Sequence, residues 1–147
     1  MRGLRQAPSF RRETLFIGEL RLTLVLDVTS GHLREVILPL EVPRELSLDS
    51  LREAVAVLSE YSLPEKPDPR AAAFAMALAC IPEGETRTYA DLALATGSSP
   101  RGIGSRCASN RLLLRMPCHR VVSGNGIGGY RSGVEWKKAL LRLEAGG

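Results

Sequence analysis

Histidine occurs twice and cysteine three times in these 147 residues, and aromatic side chains make up only 5%. Three cysteines cannot all pair, and the chain has no CxxC or Cys/His zinc spacing. Neither a disulfide framework nor a structural zinc site is therefore expected, and reduced thiols fit better. No apolar run approaches the roughly 20 residues that cross a bilayer as a helix. The basic stretch MRGLRQAPSFRRE is followed by strand-like alternation rather than a signal-peptide core, so a cytoplasmic protein without a membrane partner is expected.

What is present is unevenly distributed. Through Asp68 the chain carries 9 Lys+Arg against 11 Asp+Glu, a balance of −2; from Pro69 onward it carries 11 against 5, a balance of +6. A basic second half points to a nucleic-acid surface there, with a merely solvated arginine face as the alternative.

Residues 14–40 read as strands, with LRLTLVLDV (20–28) alternating strongly and HLREVILPLE (32–41) following a short turn that holds a solvated His32. LSLDSLREAVAVLSEYS then predicts a helix capped by Asp49, with Leu51, Val55, Leu58 and Tyr61 on its buried face. Three prolines in SLPEKPDPR (62–70) mark a linker, giving two domains, 1–68 and 69–147.

The second domain reads as short helices. Asp68-Pro69 caps a helix that stops before Pro82. Thr88 and Asp91 form a capping box opening YADLALAT, which Gly97 closes. Ser99-Pro100 starts RGIGSRCASN, and the tight turn between the two predicts a helix-turn-helix. On that third helix Ile103 and Cys107 share one face, while Arg101, Gly104, Ser105 and Ala108 share the other. Such a bare face either approaches a polyanion closely or packs against another helix. A last helix over Val134 to Glu144 places Trp136, Leu140 and Leu143 toward the core and a carboxylate, Glu144, at its disfavoured end.

Between these helices lies RMPCHRVV (115–122), which joins a cysteine to a histidine, and then a segment, 123–133, with five glycines in eleven residues. Neighbours in a strand point to opposite faces, so pairing Cys118 with His119 requires an irregular backbone, a water or a third group.

The pieces IPEGETRTYADLA, RGIGSRCASN, MPCHRVV, GGYRSG and the helix ending LLRLE resemble, in that order, the O6-alkylguanine-DNA alkyltransferase family over residues 74–144. The resemblance implies an α/β N-terminal domain, a small antiparallel sheet plus helix that is ribonuclease-H-like in outline. A mostly α C-terminal domain, winged helix-turn-helix-like, follows it. It implies single-turnover repair of double-stranded DNA by a monomer without cofactor or metal. Alkyl would pass from O6-alkylguanine, and from O4-alkylthymine, to Cys118. By position, His119 and Glu144 form a relay that draws off the thiol proton through a water, Asn110 braces the turn, and Tyr89 donates a hydrogen bond to the base. Carbonyls of Cys118 and Val121 receive the guanine amine, while Tyr130, Arg131, Gly133 and Val134 wall the pocket. Arg101 fills the vacated base stack, and Gly102, Gly104, Ser105, Arg106 and Ala108 line the minor groove.

Several positions depart from the family pattern. Arg111 follows Asn110 where proline is frequent, Arg131 stands where some members carry serine, and two connecting segments are shorter. Two alternatives stay open: a module that binds alkylated bases without transfer, and a cysteine-dependent hydrolase built on Cys118 and His119.

Overall fold

The computed structural model describes residues 9–65 and 68–146. Its first half is a three-stranded antiparallel sheet in the order β1 (Phe10–Ile17), β2 (Leu20–Asp27) and β3 (Leu33–Ile37). The alternation in β2 does what its period dictates: Leu20, Leu22, Leu24 and Leu26 are all buried, while the residues between them face outward. β1 begins at Phe10, four residues earlier than the sequence pattern indicates, because it is an edge strand with mostly exposed side chains and no alternation to read. Gly18, at φ +55°, makes the tight turn that pairs Ile17 with Leu20. Asp27 accepts from Thr29 and Ser30 N–H to shape the turn into β3, which ends at Ile37 rather than running to residue 41. His32 is half-buried, with Nδ1 2.8 Å from Ser62 Oγ, so it is not simply solvated.

Helix α1 (Leu48–Leu58) lays Leu51, Ala54 and Leu58 on the sheet, while Val55 points outward. Its cap is Ser47, whose hydroxyl accepts from Ser50 N–H; Asp49 lies inside the first turn. This corrects the capping assignment: only Ser47 has the extended backbone a cap requires.

In the second half, α2 (Pro69–Ala79) is capped by Asp68 and buries Phe74 and Leu78. The reciprocal Thr88–Asp91 bonds open α3 (Tyr89–Thr96), and Gly97, at φ +69°, ends it. Ser99 caps α4 (Pro100–Ser109), which buries Ile103 and Cys107. After a turn of 3-10 helix over Cys118–Arg120, α5 (Val134–Glu144) packs Trp136 and Leu140 into the core.

Two connections position the site. A short parallel pair, β4 (Arg87–Thr88) with β5 (Val121–Val122), sets Tyr89 beside the chain that leaves the 3-10 turn. On the other side, Val36 N–H donates to Arg111 O at 2.8 Å and Val36 bridges Leu112, so the first-half sheet runs into the segment leading to Cys118. Trp136 Nε1 donates to Pro39 O at 2.8 Å, closing the same junction from α5. Among the described residues no helix is long and apolar enough to cross a membrane, and no group of three His, Cys, Asp or Glu is placed to hold a metal ion.

Candidate active site

Asn110 ends α4 and organises the turn that follows. Its Oδ1 accepts from Leu112 N–H at 3.0 Å, and its Nδ2 donates to Met116 O and to Cys118 Sγ, both at 3.1 Å. All three bonds exist only with one orientation of the amide, so Asn110 fixes the chain at both ends of the turn and aims a donor at the sulfur. Leu114, the one non-glycine residue at positive φ among those described (+69°), absorbs the strain of that turn.

Pro117 then breaks the extended run, and Cys118 and His119 lie in a 3-10 turn. The backbone there is irregular, as expected, but Cys118 Sγ bonds Asn110 and no direct hydrogen bond joins it to His119. His119 Nε2 lies 3.0 Å from Glu144 Oε1, and His119 Nδ1 is buried with no protein partner. A proton on Nε2, donated to the carboxylate, leaves Nδ1 as an acceptor. Arg120 grips the same carboxylate as a fork, Nε to Oε1 at 3.0 Å and Nη2 to Oε2 at 2.7 Å, and sends Nη1 to Ile81 O at 2.9 Å. Burial opposes ionisation of Glu144, but bonds and charge from His119 and Arg120 outweigh it and hold its carboxyl at about 2.

Cys118 is only 4% exposed. Burial pushes its thiol up, and Asn110 and the Lys137 ammonium offset that only in part. The resting sulfur is therefore a thiol at neutral pH, and a base is needed to make it nucleophilic.

Lys137 is the residue the sequence reading missed. It is fully buried, yet Nζ donates to Val121 O at 2.6 Å and Gly129 O at 3.0 Å. It also stands 6.0 Å from the centre of the Tyr89 ring. Burial lowers its pKa while the two nearby thiols, Cys107 and Cys118, raise it. A signal did exist: Lys137 and Glu144 are seven residues apart, two turns along one helix face. Cys107 joins this cluster, its thiol pushed up to about 12 by burial and by Cys118.

Tyr89 is half-buried, its hydroxyl pushed up by burial and then by Cys107, with Gly129 N–H acting the other way. Gly128 has φ +77°, and a Cβ there would sit 2.6 Å from Tyr89 Oη, so the loop closes over Tyr89 only because this residue is glycine. Tyr130 stands edge-on to His119, ring centres 6.4 Å apart, with its hydroxyl buried and unpartnered.

The structure thus brings together Cys118, His119, Glu144, Asn110, Tyr89, Val121 and Tyr130. Other expected residues lie apart. Gly133 and Val134 border a cleft shared with Leu40 and Val42. Arg131 donates to Ala108 O at 3.3 Å. On α4, Arg101, Ser105 and Ala108 are exposed, Gly102 and Gly104 are half-buried, and Arg106 pairs with Asp68 at 3.3 Å.

The profile of the 6-O-methylguanine DNA methyltransferase DNA-binding domain matches residues 70–146, just over half of the chain. The chain belongs to this family. A methylated-DNA--protein-cysteine methyltransferase of Metallosphaera sedula is 56% identical over 61 residues, 42% of this chain and 39% of that protein. One from Saccharolobus solfataricus is 52% identical over 64 residues, 44% of this chain and 42% of that protein. These matches therefore span less than half the length of the curated relatives. The likeness in fold is wider: the O6-methylguanine-DNA methyltransferase of Pyrococcus kodakaraensis superposes with a TM-score of 0.66 at 24% identity, covering 92% of this chain and 99% of that one. The sheet-and-helix first half, outside the profile match, thus shares the methyltransferase fold.

Proposed function

We propose that this protein repairs alkylated double-stranded DNA directly, moving the alkyl group of O6-alkylguanine to Cys118 in a single turnover. The observation that carries the reading is the arrangement around the sulfur: Asn110 donates to Sγ at 3.1 Å, beside a His119–Glu144 couple whose free Nδ1 is buried. An acceptor site of this kind needs a proton acceptor and a way to hold a developing thiolate, and these residues supply both.

In the proposed step His119 Nδ1 takes the thiol proton through a bridging water, and Glu144 stabilises the imidazolium. Sγ then attacks the alkyl carbon; an S–C bond forms as the C–O6 bond breaks, and the departing guanine gains a proton equal to the one the thiol lost. Tyr89 donates a hydrogen bond toward the base and limits its developing charge. Lys137 holds Val121 O in place for the guanine amine and adds positive charge near the sulfur. Tyr130 forms a wall, and Gly133, at φ +101°, is the hinge from which the loop meets α5 and Val134. The outer face of α4, with exposed Arg101, Ser105 and Ala108 and half-buried Gly102 and Gly104, approaches the minor groove, and Arg101 enters the gap left by the extruded base. Arg106 reaches phosphate only after leaving Asp68. The M. tuberculosis protein of similar fold, at 24% identity and TM-score 0.65, has been solved in complex with DNA, which supports DNA as the partner.

Finer parts of the proposal are O4-alkylthymine as a second substrate, a monomeric working form, and domains of 1–68 and 69–147. The first is read as a reduced ribonuclease-H-like unit. In the second, α3 and α4 form the helix-turn-helix and β4–β5 its wing. The test is stoichiometric. Titrating the protein with duplex containing O6-methylguanine should repair one lesion per molecule and stop. Continued turnover would support a hydrolase, and binding without repair would support a recognition module.

A further inference from the structure

Two arginines, Arg111 and Arg131, converge on one carboxylate. Glu35, in the middle of β3, lies 3.6 Å from Arg111 Nη1 and 4.0 Å from Arg131 Nη2. The other end of the Arg131 fork donates to Ala108 O in the last turn of α4. Main-chain bonds fix the sheet side of this junction, through Val36 to Arg111 and Leu112. Arg131 therefore leaves the glycine-rich loop and ties it to both the first-half sheet and the end of α4.

That loop must yield for chemistry to occur. Cys118 is 4% exposed, and the Tyr130 side chain beside Arg131 is packed against His119. The loop is held at Gly128, packed on Tyr89, and at Gly129 O, bonded by Lys137, whereas a Cβ at Gly124, Gly126 or Gly133 would meet nothing within 4 Å, so its flanks lie in open space. A larger alkyl group requires a larger displacement, so whatever resists displacement selects against bulk.

We propose that the Glu35–Arg131 pair is a specificity-determining brace that holds the loop toward the sheet and limits the size of the alkyl group delivered to Cys118. Through it the N-terminal half takes part in substrate choice. The inference rests on the alkyl-transfer reading above. Glu35 touches neither sulfur nor base; it acts as a positioning residue. The pair is part-exposed and at the outer limit of ion-pair distance, so it biases the loop rather than locking it, and salt loosens it.

The test compares single-turnover rates for O6-methylguanine and O6-benzylguanine placed in the same duplex. Both substrates share every DNA contact, so removing a negative charge near the DNA face cancels in their ratio. Glu35→Gln should leave methyl transfer within about twofold and raise the benzyl-to-methyl ratio roughly threefold, the scale of one weak ion pair. Arg131→Ala should raise the ratio as well, and the double variant should raise it no further. Arg111→Ala, which spares the loop tether, should keep the wild-type ratio. Added salt should raise the ratio in the wild type but not in Glu35→Gln. An unchanged ratio in Glu35→Gln, or additive effects of the two substitutions, would overturn the brace while leaving alkyl transfer standing. No reaction of the wild type with either substrate would overturn the alkyl-transfer reading, and the brace with it.

Discussion

Replacing Glu144 by glutamine keeps the side-chain shape and removes the charge that His119 and Arg120 share. The folded protein holds this carboxyl at about 2, against an ordinary value of 4.5. At about 1.4 kcal/mol per pH unit, that difference stabilises the fold by about 3 kcal/mol. Because the folded value is the lower one, the stabilisation is complete above pH 4.5 and fades as pH falls toward 2. The glutamine variant lacks it at every pH, including the share that comes from pairing with Arg120, a guanidinium only 15% exposed. Urea denaturation at pH 7 should show the variant less stable by about 3 kcal/mol, and at pH 3 by about 1 kcal/mol. A difference that stays constant across this range, or one below about 1 kcal/mol at pH 7, would refute the picture of a buried, ionised Glu144.

Three further substitutions probe other parts of the site. Arg101→Ala should slow transfer from duplex DNA by at least about tenfold, because the few kcal/mol of base extrusion lose their compensation. Transfer from free O6-benzylguanine should change less than about twofold, and equal losses would deny Arg101 that role. Lys137→Met should cost about 3 kcal/mol in urea denaturation, since two carbonyls lose their donor inside the protein. In the same variant the pH midpoint for iodoacetamide labelling of Cys118 should rise, because the ammonium that favours its thiolate is gone. Gly128→Ala should destabilise by about 1–2 kcal/mol through its positive φ and displace Tyr89, measurable as lower stability together with slower transfer.

Helix boundaries were legible where a cap is a local event. Asp68-Pro69, Thr88 with Asp91, Ser99-Pro100 and Gly97 each place side-chain oxygen or free backbone where a terminus needs it, and the helices begin and end there. At α1, three candidate oxygens crowd residues 47–50, and backbone conformation chose Ser47 over Asp49. The first strand starts early because an edge strand with a wet surface has no pattern to read.

At the site, the motif brought Cys118, His119, Asn110 and Glu144 to notice, and the fold gathers them. Lys137 escaped because lysines on an amphipathic helix, here the pair Lys137-Lys138, ordinarily face water, and the tertiary structure shows two carbonyls enclosing Lys137. The Arg106–Asp68 and Arg131–Glu35 pairs escaped for the same reason: their partners are 38 and 96 positions away in the chain.

The central claim is that the Cys118 sulfur receives carbon from a damaged base. Intact-mass measurement after mixing the protein with an O6-methylguanine duplex, followed by peptide mapping, tests it directly. The account predicts a gain of one methylene per molecule, confined to the peptide that holds Cys118 and absent from Cys118→Ala. An unmodified protein, or the added mass on Cys80 or Cys107, would contradict it.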